Sequence, residues 1–249
     1  MSDYLPIPGL LKDRVILITG AGDGIGRVAA ITCAEYGATV VLLGRTQRKL
    51  ERVYDEIEQA GFPQALIHPL DLEKAVAGDY AQLAAALDQQ FGRIDGLLHN
   101  AAILGTLTPL GLYDVELWHK VMQVNLHAPF MLTRACLNLL RKSPDASIVF
   151  TADAAGRQGR AYWGAYGVSK AALEGMMRIL ADETENEGRV RVNSIDPGAL
   201  RTMLRARAYP AENPNLLPTP ETVMDRYLYL LGPDSRNISG RAFTAQEDA

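Results

Sequence analysis

Cysteine is scarce in this chain of 249 residues. Only Cys33 and Cys136 occur, roughly a hundred positions apart, which leaves no disulfide framework and no cysteine-based zinc site. The four histidines (His68, His99, His119 and His127) lack metal-ligand spacing and are read as structural, so no metal is expected. Long apolar runs are missing too, since nothing approaches the ~18–20 uncharged residues of a membrane span. An excess of charge of either sign is equally absent. The 25 Lys+Arg stand against 29 Asp+Glu, for a net charge of −4, and this offers no broad basic footprint for nucleic acid or an anionic membrane. The first thirteen residues hold prolines and acids, without a basic stretch leading into an apolar core, so no secretory leader is expected. The sequon Asn237-Ile238-Ser239 is accordingly read as chance, and the location as cytoplasmic.

What remains is 48% hydrophobic and 22% charged, the balance of an ordinary soluble globular chain with a substantial core. Short apolar runs alternate with helical patterns almost to the end. Strands are expected over 14–19, 39–43, 65–68, 94–99, 147–151, 190–195 and 241–244, and helices over 25–36, 47–60, 79–91, 114–141, 163–187 and 221–231. Runs such as Val15-Ile16-Leu17-Ile18 and Val40-Val41-Leu42-Leu43 suit strands buried on both faces, as in a parallel sheet. Gly37, Gly61 and Gly92 mark helix ends. This order predicts an α/β fold with right-handed crossovers and helices on both sides of one sheet. Neither a repeat nor a linker interrupts it, and residues 1–249 are read as one domain. Residues 197–220 break the regularity with five prolines. A loop so long is a functional lid or is partly disordered.

The first expected strand runs into Thr19-Gly20-Ala21-Gly22-Asp23-Gly24-Ile25-Gly26, which opens a helix. Glycines there allow a tight turn and close approach of a pyrophosphate, and the helix start presents N–H groups and a positive dipole end. Between the first strand and first helix of an alternating chain, the turn points to a dinucleotide; a merely structural turn is the alternative. No lysine of the NTP-hydrolysing type follows it. The second strand ends in Gly44-Arg45-Thr46-Gln47-Arg48, without the carboxylate that would hold an NAD ribose. Arg45 can pair with a 2′-phosphate, which favours NADP(H), with NAD(H) possible; a solvated arginine is the other reading. Asp23 would weakly repel that phosphate. Asp71-Leu72 follows the third strand, where Asp71 accepts from an adenine amino group or caps a helix. Asn100-Ala101-Ala102 follows the fourth, with side chains small enough for a cofactor to lie close.

Tyr166 and Lys170, four apart on one expected helix, share a face. An ammonium near a phenol favours phenolate and makes tyrosine a usable acid or base. Together with the 19–26 turn, Asp71, Asn100-Ala101, Asn125, and Pro197-Gly198 followed by Thr202, this pair makes the sequence resemble the short-chain dehydrogenase/reductase family over roughly residues 11–245, in the form of a bacterial oxidoreductase. The resemblance implies a single-domain Rossmann fold with a doubly wound, seven-stranded parallel sheet, and hydride transfer between a nicotinamide and a carbonyl or alcohol. It implies that Tyr166 passes the proton and that Lys170 holds the ribose and lowers the tyrosine pKa. It also implies that Asn125 anchors a relay water, and that Pro197, Gly198 and Thr202 cradle the nicotinamide and its phosphates. Asn125 satisfying a helix carbonyl and Thr202 capping a helix remain alternatives. A homodimer or homotetramer is implied as well, with helix faces in 114–141 and 163–187 packed between copies and Cys136 and Met176-Met177 filling that packing.

One departure is chemical. Where the family places a serine, thirteen positions before the tyrosine, stands Asp153, in Thr151-Ala152-Asp153-Ala154-Ala155-Gly156. That serine donates to the substrate oxygen where negative charge develops, whereas an ionised aspartate only accepts. Three outcomes follow: a protonated Asp153 that donates, Thr151 donating in its stead, or a feeble site. The rival to an active oxidoreductase is thus a non-catalytic NADP(H)-binding sensor or interaction protein. Residues 198–220 are expected to cover the substrate. Arg201, Arg205 and Arg207 there select an acidic substrate or form a solvated helix face. Gln158, Tyr162 and Trp163 line the pocket or pack, and residues 246–249 are expected to add no chemistry.

Overall fold

In the computed structural model the described residues are 4–246, so residues 1–3 and 247–249 of the expected domain lie outside them. Seven strands form one sheet: β1 (Val15–Thr19), β2 (Thr39–Gly44), β3 (Leu66–Pro69), β4 (Gly96–His99), β5 (Ala146–Thr151), β6 (Val190–Asp196) and β7 (Ala242–Thr244). Their order is β3-β2-β1-β4-β5-β6-β7 and every pairing is parallel. Strand β1 sits between β2 and β4, with Leu17 opposite Val41 on one side and Leu97 on the other. All five β1 residues are buried, which explains why an uninterrupted apolar run was needed there.

Successive strand residues feed two cores, as a period of two requires. Ile16, Ile18, Val40 and Leu42 pack with α1 (Gly24–Glu35), α2 (Gln47–Gln59) and α9 (Met224–Leu231). Leu17, Val41, Leu43 and Leu97 pack with α3 (Ala77–Phe91), α5 (Ala128–Arg141) and α7 (Gly164–Glu185). Cys33 belongs to the first core and Cys136 to the second, so the sheet separates two buried free thiols. Gly92 closes α3 in a left-handed conformation, φ 72°. No helix among the described residues is long and apolar enough to cross a membrane.

Three features depart from the expected elements. The helix expected over 114–141 is α4 (Val115–Met122), a π-helical turn (Gln123–His127) and α5. The turn carries the inward-facing amide of Asn125, and π insertions are found mostly at functional sites. A short α6 (Ala154–Gln158), capped by the Asp153 carboxylate and ended by left-handed Gly159, had no periodicity to announce it. Within residues 197–220 lie α8 (Met203–Ala208) and two single-turn helices, Pro214–Leu216 and Pro220–Val223. The prolines start those turns rather than leaving open loop.

Candidate active site

Where β1 separates β2 from β4 the sheet order reverses, and a crevice opens beyond the carboxyl ends of the strands. The glycine turn lines it. Gly20 and Gly24 have φ of +69° and +51°. A Cβ on Gly26 would lie 2.3 Å from the Gly20 carbonyl oxygen and 2.5 Å from Asn100 Nδ2. The helix start therefore packs flat against the strand ends only because glycine is there. Thr19 and Gly26 support the turn and are not among the residues lining the cavity. The Thr19 hydroxyl accepts from Asn100 N at 2.9 Å and Ala101 N at 3.1 Å, tying β1 to the end of β4.

A single cavity of about 510 Å³ runs from this turn to the tyrosine. Gly20, Gly22, Asp23, Gly24, Ile25, Arg45, Asp71, Leu72, Asn100 and Ala101 border one part, and Asp153, Tyr166, Lys170, Pro197, Gly198 and Thr202 the other. Asp23 does not stand as a bare negative charge in the turn. Its carboxylate caps α1 at Gly24 N (2.8 Å) and meets Lys49 Nζ at 2.5 Å, and the ammonium holds its pKa below the usual carboxylate range. Lys49 joins Arg45 at this basic end, and sequence reasoning missed it, because its partner lies across the second strand. Asp71 accepts from Glu73 N (3.2 Å), so it caps a turn while bordering the cavity. Thr202 does both as well. It caps α8 through Arg205 N (3.2 Å), and its methyl would lie 3.6 Å from a Cβ on Gly24 across the cleft.

At the other end Tyr166 donates to Asp153 Oδ2 at 2.8 Å, and Asp153 Oδ1 accepts from Ala155 N at 2.8 Å. Both carboxylate oxygens are thus acceptors in this arrangement. Thr151 borders the cavity too, but its buried hydroxyl lies beside Tyr227, on the sheet face it shares with Val149. The expected depression of the Tyr166 pKa by Lys170 is not what this site does. Burial first, and the Asp153 carboxylate second, push the phenol well above its ordinary value. Lys170 Nζ donates to the Thr151 carbonyl at 2.6 Å and stands 5.6 Å from the tyrosine ring centre. Burial lowers the ammonium to about 8, against the pull of Asp153 and Asp196.

Asp196, at the end of β6, is a further wall of the cavity that the sequence reading passed over, although it immediately precedes Pro197-Gly198. It accepts from Gly198 N at 2.9 Å, and burial raises its pKa. The Asn125 amide is held by protein on both sides. Oδ1 accepts from Ile103 N (2.9 Å), while Nδ2 donates to Ile103 O (3.0 Å) and Ser169 Oγ (3.1 Å). Its side chain therefore clamps the β4 exit to α7. Gln246 also exceeds its expectation: Nε2 donates to the carbonyls of Pro197 (2.8 Å) and Ala199 (3.1 Å), fixing the loop where Gly198 has φ +73°. The rest of that tail expectation, 247–249, lies outside the described residues.

The arginines of the loop divide. Arg201 is exposed, and its guanidinium donates to the carbonyls of Pro214, Asn215 and Leu217, pinning the loop. Arg205 pairs bidentately with Glu212 at 2.7 Å and lies 3.7 Å over the Tyr209 ring. Arg207 borders the cavity, as do Arg160 and Trp163. Tyr162 is exposed, and neither it nor Gln158 lines the cavity.

A protein-family model described as short chain dehydrogenase matches residues 14–213. The uncharacterized oxidoreductase YciK of Escherichia coli (strain K12) is 50% identical over 243 residues, covering 98% of this chain and 96% of its own. A solved structure from Pseudomonas syringae, assigned to the short chain dehydrogenases, superposes with a TM-score of 0.96 at 58% identity, covering 98% and 99% of the two chains. Another from Escherichia coli CFT073, similarly assigned and complexed with NADPH, gives a TM-score of 0.94 at 51% identity and covers 97% and 100%. The glycine turn, the seven parallel strands and the Tyr166–Lys170 pair thus stand in a chain that belongs to the short-chain dehydrogenase/reductase family of oxidoreductases.

Proposed function

We propose that the chain catalyses NADP(H)-dependent hydride transfer on a small carbonyl or alcohol substrate, with residues 1–249 as one functional unit and residues 198–220 as its lid. The observation that carries this reading is the continuous cleft from the basic Arg45–Lys49 end, past the glycine turn, to Tyr166 and Lys170. The residues fit such a cofactor. Gly20, Gly22, Gly24 and the α1 start form an anion cradle, Lys49 offsets Asp23, and no carboxylate follows Gly44 to claim a ribose 2′-hydroxyl. When bound there, NADPH supplies the hydride. Arg45 and Lys49 hold the 2′-phosphate, Asp71 the adenine, Lys170 the ribose, and Pro197, Gly198 and Thr202 the nicotinamide half. Tyr166 donates to the reacting atom of the substrate, and Asn125 positions α7 beneath it.

Cofactor choice is tested by titrating NADPH and NADH into the purified protein. NADPH is expected to bind at least several-fold tighter, and Arg45→Ala to erase the difference. Equal affinities in wild type would sink the assignment of Arg45. Tyr166→Phe is expected to lower turnover about a hundredfold or more without changing NADPH affinity.

Phe130 on α5, with Val168 and Ile179 on α7, are exposed apolar side chains, which supports a homodimer or homotetramer. Light scattering at the monomer mass would remove that part of the reading. One observation favours a rival, the NADP(H)-binding sensor without turnover: the Tyr166 hydroxyl is spent on Asp153. The rival predicts cofactor binding with no hydride transfer to any acceptor.

A further inference from the structure

The serine position of this site holds an acceptor, and the adjoining tyrosine is turned toward it. Asp153 Oδ2 lies 2.8 Å from the Tyr166 hydroxyl, and its other oxygen is fixed by Ala155 N, so the carboxylate cannot swing away without uncapping α6. Around it stand Asp196 and Lys170, while Arg160, Arg205 and Arg207 border the same cavity, Arg205 paired with Glu212. Asp153 and Asp196 against the Lys170 ammonium make the inner end a poor place for an oxyanion to grow and a good place for a cation to be held. Leu104, Ala155, Trp163, Tyr166 and Ala208 pack together there. The Trp163 ring centre lies 5.6 Å from that of Tyr166 and 5.9 Å from that of Tyr209. These are walls for a flat, mostly apolar molecule, and aromatic faces also attract cations.

Resting on the hydride-transfer reading above, we infer that the site's substrates are protonated C=N compounds, imines or dihydro-N-heterocycles, whose iminium N–H donates to Asp153. The carboxylate then binds the charged ground state in the orientation the tyrosine would give a carbonyl. The hydride of NADPH adds to the iminium carbon, and the C=N π pair becomes the nitrogen lone pair. The nitrogen keeps the proton it brought, giving an amine and NADP⁺. An iminium nitrogen has no lone pair to accept from Tyr166, so the tyrosine, which would donate to a carbonyl, is here the positioning residue for the Asp153 carboxylate, and in the reverse direction the same pair receives an amine.

The experiment pairs 3,4-dihydroisoquinoline with its carbonyl counterpart 1-tetralone, following NADPH oxidation by wild type, Asp153→Asn and Asp153→Ser. Benzamidine, a flat amidinium that is not reduced, is titrated calorimetrically into each protein with NADP⁺ present. NADPH binding by each variant serves as its folding check. The expected result is a kcat/KM for the imine at least tenfold above that for the ketone in wild type, a loss of that preference in Asp153→Asn, and its reversal in Asp153→Ser. Benzamidine is expected to bind wild type about tenfold tighter than Asp153→Asn. A wild type that prefers the ketone, or binds benzamidine no better than Asp153→Asn does, overturns the C=N assignment and leaves hydride transfer standing. NADPH binding with no oxidation of it by wild type or Asp153→Ser overturns hydride transfer itself, and the assignment with it.

Discussion

The two ends of the sheet each bury a cluster of charges, and they treat them in opposite ways. Where the strands begin, Asp145 accepts from Arg14 at 3.0 Å and pairs with Arg191. Asp95 accepts from Val15 N (2.9 Å), Arg93 Nε (3.0 Å) and Ser143 Oγ (2.6 Å). Arg191 also donates to Ser235 Oγ (3.0 Å) and the Gly232 carbonyl (2.5 Å). Burial lowers the Arg191 pKa to about 10, but Asp145 works against the shift. Where the strands finish, Lys170 is as deeply buried and has a single carbonyl for a partner. Asp196 has one backbone N–H, and Tyr166 is held by Asp153. A cluster whose charges are paired, with only Arg14 Nε among the described residues left without a partner, sets the register of four strands. A cluster with capacity left over lines a cavity, and that surplus is what a ligand can meet.

The largest effect should come from breaking the satisfied end. Asp145→Ala leaves two guanidinium groups buried without their shared carboxylate, and removing one partner of a buried pair costs about 3–5 kcal/mol. Denaturant unfolding should show the midpoint falling at unchanged slope, while NADPH affinity of the folded protein stays within about twofold, because the cluster touches no wall of the cavity. A cost below about 1 kcal/mol would mean that Arg14 and Arg191 find other acceptors, and the contrast between the two ends would weaken.

The satisfied end was also the part that the sequence hid. The strand candidates, their parallel pairing and most helices could be read from apolar runs and glycines, since burial on both faces favours apolar runs in the strands, and the seven-stranded sheet was implied by the family resemblance. The glycine turn, Arg45 and the Tyr166–Lys170 spacing are local patterns, and local patterns survive in a sequence. Arg14 with Asp145, Lys49 with Asp23 and Gln246 with Pro197 join residues far apart in the chain, so no window of sequence contains both partners. The π turn at Gln123–His127 was unreadable for a related reason: Asn125 within it bonds to Ile103 and Ser169, on other segments of the chain. Even a correctly located pair can be misjudged in sign. Four residues of helix put Lys170 beside Tyr166, but the burial that raises the phenol is a property of the assembled cavity.

The unsatisfied end should yield stability when its charge is removed. Lys170 falls from 10.5 to about 8 because the folded protein disfavours its ammonium. Below pH 8 both folded and unfolded chains carry the proton, and the penalty is present in full. Between about 8 and 10.5 the unfolded chain binds more protons than the native one, so wild-type stability rises with pH. Lys170→Met keeps the buried stem and should gain up to roughly 3 kcal/mol at pH 7, an advantage that shrinks as pH passes 8 and that comes with loss of turnover. If Lys170→Met is less stable than wild type at pH 7, then Asp153 and Asp196 rely on the ammonium more than its one hydrogen bond suggests.

The smallest effect sharpens the comparison at a residue that sits at the open end yet behaves like the closed one. Thr19 heads the glycine turn, where it reads as a cofactor ligand, but its hydroxyl is buried and occupied by Asn100 N and Ala101 N. Thr19→Val preserves shape and strips both amides of their acceptor. A buried donor left unsatisfied costs about 1–3 kcal/mol, so chemical denaturation should register a loss in that range. NADPH affinity should fall only a few-fold, through loosening of the 100–103 segment against the turn, and the pH dependence of turnover, set at Tyr166 and Lys170, should not move. If NADPH binding instead collapses while stability is untouched, the hydroxyl faces the cofactor after all. Thr19 would then belong with the residues that keep capacity in reserve, and the line between the two ends would run one residue lower on β1.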